Sequence, residues 1–75
     1  MELIIKLYHT NGNVSVLHNP DDMDITDNTI EFVWDDYIIN KYGEKEYEPD
    51  EAIFPLADLT SMEWERDGHM FRWHF

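Results

Sequence analysis

The side chains of this 75-residue chain that could do chemistry are overwhelmingly carboxylates: 17 Asp and Glu stand against 5 Lys and Arg, for a formal net charge of -12. Paired acids such as Asp35 and Asp36, or Glu63 and Glu65, could act as general acid and base only if one of them were desolvated and its pKa raised. Nothing in the sequence around either pair suggests a pocket. Ser15 and Ser61 lack a nucleophile-elbow sequence. The histidines, His9, His18, His69 and His74, include no two at a zinc-type spacing, and there is no cysteine to assist them. They are read as strand-end residues, with His9 and His18 on the core side of a first hairpin. Asp22, Asp24 and Thr26 match positions 1, 3 and 5 of a calcium loop, but Asp27 stands where glycine is required and Val33 where the bidentate glutamate belongs. The expectation is a protein that is not an enzyme and holds no metal or cofactor.

What carboxylates can do without a pocket is bind cationic surfaces, and their distribution favours that role. Residues 1–20 are neutral and residues 52–75 carry a net -2, whereas 21–51 carry twelve acids against Lys41 and Lys45. Clustering like charges raises self-repulsion, and solubility alone would be served by spreading them. In an extended strand, Glu44, Glu46 and Glu48 would project to one side about 6.6 Å apart, resembling successive phosphates of a nucleic-acid strand. Asp50 and Glu51 extend this row, and Tyr47 within it is an aromatic of the type found at binding hot spots. Asp21, Asp22, Asp24 and Asp27, with Asp35 and Asp36, could form a second row. The charge excludes attraction to nucleic acid or to an anionic membrane, since both need a basic face. What it leaves is a basic protein surface, a weakly held cation, or a solvated acidic segment with no partner; the clustering favours the first.

The elements that must carry these residues read as strands. Leu3, Ile5 and Leu7 alternate with Ile4, Lys6 and Tyr8, and Asn11-Gly12 is a strong hairpin signal. As a two-residue loop it would set Leu7 opposite Val16 and Ile5 opposite His18, with Val14 and Val16 facing the core. A polar segment follows through Asn28, then Thr29–Trp34 with Ile30, Phe32 and Trp34 on one face. Tyr37, Ile38 and Ile39 favour a strand; a short helix over 36–42, capped by Asp36 and closed by Gly43, is the alternative. Pro49 restricts its stretch to a loop or an edge strand, and residues 56–59 read as a single turn. Asp67-Gly68 turns a last hairpin that pairs Trp64 with Phe71, Met62 with Trp73 and Glu63 with Arg72. The fold class is therefore all-β, in one domain over 1–75: a small antiparallel sheet or partly open barrel of about five to six strands. Eleven aromatics supply the large buried areas that so small a core needs. The absence of cysteine, signal peptide and apolar span points to the cytoplasm.

In size, charge and lack of chemistry, and in the Glu44-Glu46-Glu48 row, the chain resembles the small acidic inhibitors encoded by phages and other mobile elements, such as anti-CRISPR proteins and DNA mimics. That resemblance implies a non-enzymatic inhibitor acting in the host cytoplasm. It would occupy the basic channel of a nucleic-acid-binding protein, such as a CRISPR effector, in place of the nucleic acid. The competing expectation is a structural or assembly module that forms a homodimer or larger array through a sheet edge or its aromatic face.

Overall fold

The structure, a computed structural model, describes residues 2–47 and 49–75. It is all-β, as the alternating patterns predict, with nine short strands among the described residues: β1 (Leu3–His9), β2 (Val14–His18), β3 (Asp22–Ile25), β4 (Thr29–Trp34), β5 (Tyr37–Ile39), β6 (Lys45–Tyr47), β7 (Asp50–Pro55), β8 (Leu59–Arg66) and β9 (His69–His74). They form three antiparallel sheets, ordered β2-β1-β8-β9, β3-β4-β7 and β5-β6, and no closed barrel. The strands outnumber the expected five to six because the polar segment after Asn19-Pro20 holds β3, and the acidic stretch contributes β6 to a small ribbon. Residues 37–39 are a strand, not part of a helix, and Leu56–Asp58 is a single 3-10 turn.

The last hairpin has the register that its pattern dictates. Asp67 and Gly68 both take positive φ, 53° and 80°, as a mirror-image two-residue turn requires. Trp64 then faces Phe71 in a stack with ring centroids 5.5 Å apart, and Met62 faces Trp73. On the other face Arg72 pairs with the half-buried Glu63, which also accepts a hydrogen bond from the Tyr8 hydroxyl at 2.8 Å.

The first hairpin departs from its expected register by one residue. Tyr8 faces Val14, Lys6 faces Val16 and Ile5 faces Leu17. The Thr10 N–H donates to the Asp58 carbonyl at 2.8 Å, which draws Thr10 out of the ladder. The loop becomes Thr10-Asn11-Gly12, closed by His9 and Asn13, with Gly12 at φ 90°. Because side chains alternate, the slip turns Val14 and Val16 outward and brings Ser15 and Leu17 to the inner face. His18 is thereby exposed, 3.5 Å from Glu2, while His9 stays inward, edge-on to Phe54 and 2.7 Å from the Ser15 hydroxyl.

The core lies between the two larger sheets. Ile5 and Leu7 of β1, and Leu59 and Met62 of β8, meet Ile30 and Phe32 of β4. Leu59 and Met62 are three residues apart and would point oppositely in a regular strand. A bulge lets both face inward: Tyr8 pairs with Ser61 but His9 with Leu59, leaving Thr60 as the extra residue. No described helix is long and apolar enough to cross a membrane.

Candidate acidic interface

The β3-β4-β7 sheet gathers the acids. Ile30, Phe32 and Trp34 occupy its inner parity, so Glu31 and Val33 point outward. Register then assigns their neighbours: Asp22 and Glu51 flank Val33 on either side, and Asp24 lies directly opposite Glu31. Four carboxylates thus share one outward face. Directly opposed side chains in an antiparallel pair have Cβ atoms about 4.5–5.5 Å apart, and like charges there are destabilising. None of the three strands carries a Lys or Arg, and both ion pairs found among the described residues lie elsewhere, at Glu2 and Glu63.

A second group lies where β4 leaves the sheet. The Asp35 N–H donates to the Asp21 carboxylate at 2.6 Å, and the Tyr47 hydroxyl donates to the Asp35 carboxylate at 2.5 Å. Tyr47 is 65% exposed, yet its pKa is raised above the usual 10.0. The hydrogen bond to Asp35 is the leading cause; reduced hydration and the negative charges of Asp35, Asp21 and Glu51 add to it. Glu51, which is outward on the sheet, thus links this group to the sheet face through Tyr47.

Of the expected Glu44-Glu46-Glu48 row the structure describes Glu44 and Glu46. Glu44 ends the β5-β6 turn, where its backbone N–H donates to the Asn40 side chain at 3.0 Å. Glu46 is in β6 opposite Ile38 and accepts from Asn40 Nδ2 at 3.0 Å, while Glu48 lies outside the described residues. A three-residue loop closed by Asn40 and Glu44, with Gly43 at φ 78°, keeps Glu44 and Glu46 on the same parity, opposite Asn40 and Ile38, but on a ribbon separate from the β3-β4-β7 sheet. The ribbon is also less one-sided in charge, since Lys41 and Lys45 lie over the rings of Tyr42 and Tyr37. Asp27 sits in the β3-β4 loop, Asp36 follows Asp35 on the exposed connection to β5, and Asp50 begins β7 opposite Trp34. Of the second group of acids, then, the structure joins Asp22 and Asp24 to Glu51 on the sheet and Asp21 to Asp35 beside it. Glu31 belongs with them and was not among the expected binding residues. Its signal was the alternation of residues 29–34, which sets it on the face opposite Phe32.

Among the described residues no group of three or more His, Asp or Glu is arranged to hold a metal ion. Comparison with known protein families, curated proteins and solved structures finds no match.

Proposed function

We propose that this chain is a non-enzymatic inhibitor of the anti-CRISPR-like kind encoded by phages. Its acidic β3-β4-β7 face docks into the basic nucleic-acid channel of a host defence or DNA-processing protein and competes there with the nucleic acid. The observation that carries this reading is Asp24 opposed to Glu31, with Asp22 and Glu51 on the same face and no basic residue on those strands. The opposition of like charges works against folding, whereas a groove of Lys and Arg would turn its repulsion into attraction. Asp22 and Asp24, two residues apart on β3, stand about 6.6 Å apart, a spacing suited to side chains that grip successive phosphates.

The test is capture of a nucleic-acid-binding protein from host lysate by the tagged chain. Release at high salt or by competitor DNA is the expected result. Asp24→Lys/Glu51→Lys should weaken binding of the captured protein by about 10-fold or more, since two favourable charge contacts become repulsive. Binding unchanged by that double substitution would remove the sheet face from the mechanism.

A further inference from the structure

The two larger sheets meet over only part of their inner faces. Where β3 passes the β8-β9 hairpin they stand apart, leaving an open cleft of about 670 Å³. Met23 and Ile25 form one wall, Trp64, Phe71 and Trp73 the other, and Ile5 lies at the base. Pro20, Asp21 and Arg66 also line it, and Asp22, outward by parity at the start of β3, borders it at the rim. Met23 and Ile25 share the inner parity of β4, opposite Phe32 and Ile30, yet are 44% and 45% exposed. Phe71 and Trp73 are 50% and 55% exposed, although their cross-strand partners belong to the core or pack against it. The volume falls within the range of about 300–1,000 Å³ typical of ligand sites.

Along the cleft runs a strand with one edge unpaired among the described residues. β9 is the edge of its sheet. Arg66 and His69 close a two-residue turn, so alternate β9 residues bond to β8, and the Phe75 N–H continues that series by donating to the Thr60 carbonyl at 3.1 Å. The backbone groups of Met70, Arg72 and His74 consequently face away from β8. Edge strands are commonly protected by charged side chains. Here Arg72 is held by Glu63 on the sheet's outer face, and the cleft face of the edge presents His69, Phe71 and Trp73.

We infer that the cleft receives an extended basic-apolar segment of a partner protein, which adds as a strand to β9 and inserts its alternate apolar side chains between Trp73 and Met23. This rests on the reading that the partner is a basic protein, and it specifies how a segment of that partner is held. Strand addition supplies affinity through main-chain hydrogen bonds and selectivity through the pockets that alternate side chains enter. Charge decides between occupants. A second copy would bring another net charge of -12 to the same place, whereas Lys or Arg on the added segment would meet Asp21 and Asp22, which outnumber Arg66 in the lining, favourably.

The experiment uses the whole chain and two fluorescein-labelled synthetic peptides, Lys-Val-Lys-Phe-Lys-Val-Lys and the same sequence with Ser at each apolar position. Fluorescence anisotropy at 0.15 M salt should show the apolar peptide binding at least 10-fold more tightly than the Ser peptide. The amides of Met70, Arg72 and His74 should gain protection from hydrogen exchange in its presence. Met23→Thr and Trp73→Thr, both at exposed sites, should each weaken it about 10-fold or more, and amide spectra will establish that each variant is folded. Equal affinity for the two peptides, or no binding of the apolar one, would overturn the inference while leaving the outer acidic face untested by this result. Dimerisation of the free chain in sedimentation, abolished by Trp73→Thr, would overturn it in favour of a second copy. Failure of the acidic-face reading shows separately: the apolar peptide still binds, and capture of the basic protein is unmoved by Asp24→Lys/Glu51→Lys.

Discussion

Asp24 and Glu31 face each other across β3 and β4 with no cation on either strand, and that single opposition separates stability from function. Replacing like charges by an opposite pair is worth roughly 0.5–1 kcal/mol in a sheet. Asp24→Lys should therefore raise the melting temperature by about 4 °C, measured by circular dichroism, while weakening the interaction with a basic partner. A melting temperature that fell would mean the opposition is not a repulsive one. Tyr47 gives a second reading of the same field. Its raised pKa means that the folded state holds the phenolic proton more tightly than the unfolded state, so its contribution to stability is intact below pH 10 and is lost as pH rises through the folded-state value. An ultraviolet titration should show a tyrosine component above pH 10 that disappears in Tyr47→Phe. Persistence of that component would assign it elsewhere. The sequence makes the acidic character of 21–51 plain, but counting acids along the chain favours Glu44, Glu46 and Glu48. Which acids share a face depends on pairing between strands, and pairing brought Asp22, Asp24, Glu31 and Glu51 together.

Two hairpins with equally strong turn signals differ in how far local pattern governs them. Although β8 also pairs with β1, the hairpin turned by Asp67-Gly68 keeps the register that its two-residue loop implies. The hairpin at Asn11-Gly12 does not. Thr10 bonds to Asp58, nearly fifty residues on, and Asn11 keeps its side chain on the Asn13 N–H at 3.0 Å, so a tertiary contact overrides the two-residue loop. A contact of that separation has no signature in a short window of sequence. The consequence is measurable at two adjacent positions. Leu17, packed against the core, should lose about 2 kcal/mol on replacement by Ser, while exposed Val16 should change by about 0.5 kcal/mol or less under chemical denaturation. The reverse order would restore the register that the turn signal alone implies. The same three-residue loop recurs at Asn40–Glu44 with Gly43 as its left-handed residue, which is why a helix over 36–42 does not form: the chain reverses before one could propagate.

The molecule as a whole is more open than its length requires. A radius of gyration of 14.7 Å exceeds the roughly 11 Å expected for a compact chain of this size, and its 5568 Å² of surface exceeds about 4,900 Å². The exposed β5-β6 ribbon and the separation of the sheets along the cleft are in keeping with both excesses. Alternation in the sequence identified the inner faces of β1, β4, β8 and β9, though not of β2, but how far two sheets close on each other depends on their crossing, which no strand encodes alone. A net charge of -12 acts against closure of this small core and, in the proposed complex, toward association. The two effects give opposite responses to salt. Raising ionic strength from 0.01 to 0.1 M shortens the screening length from about 30 to about 10 Å. Self-repulsion within the acidic region then weakens, and the melting temperature of the free chain should rise by a few degrees. Over the same interval attraction to a basic partner is screened, so its dissociation constant should rise about 10-fold or more. Calorimetry of the free chain and titration of a captured partner would measure the pair of slopes. A dissociation constant that stayed level or fell while the melting temperature rose would mean that burial along the cleft, not the acidic face, dominates recognition.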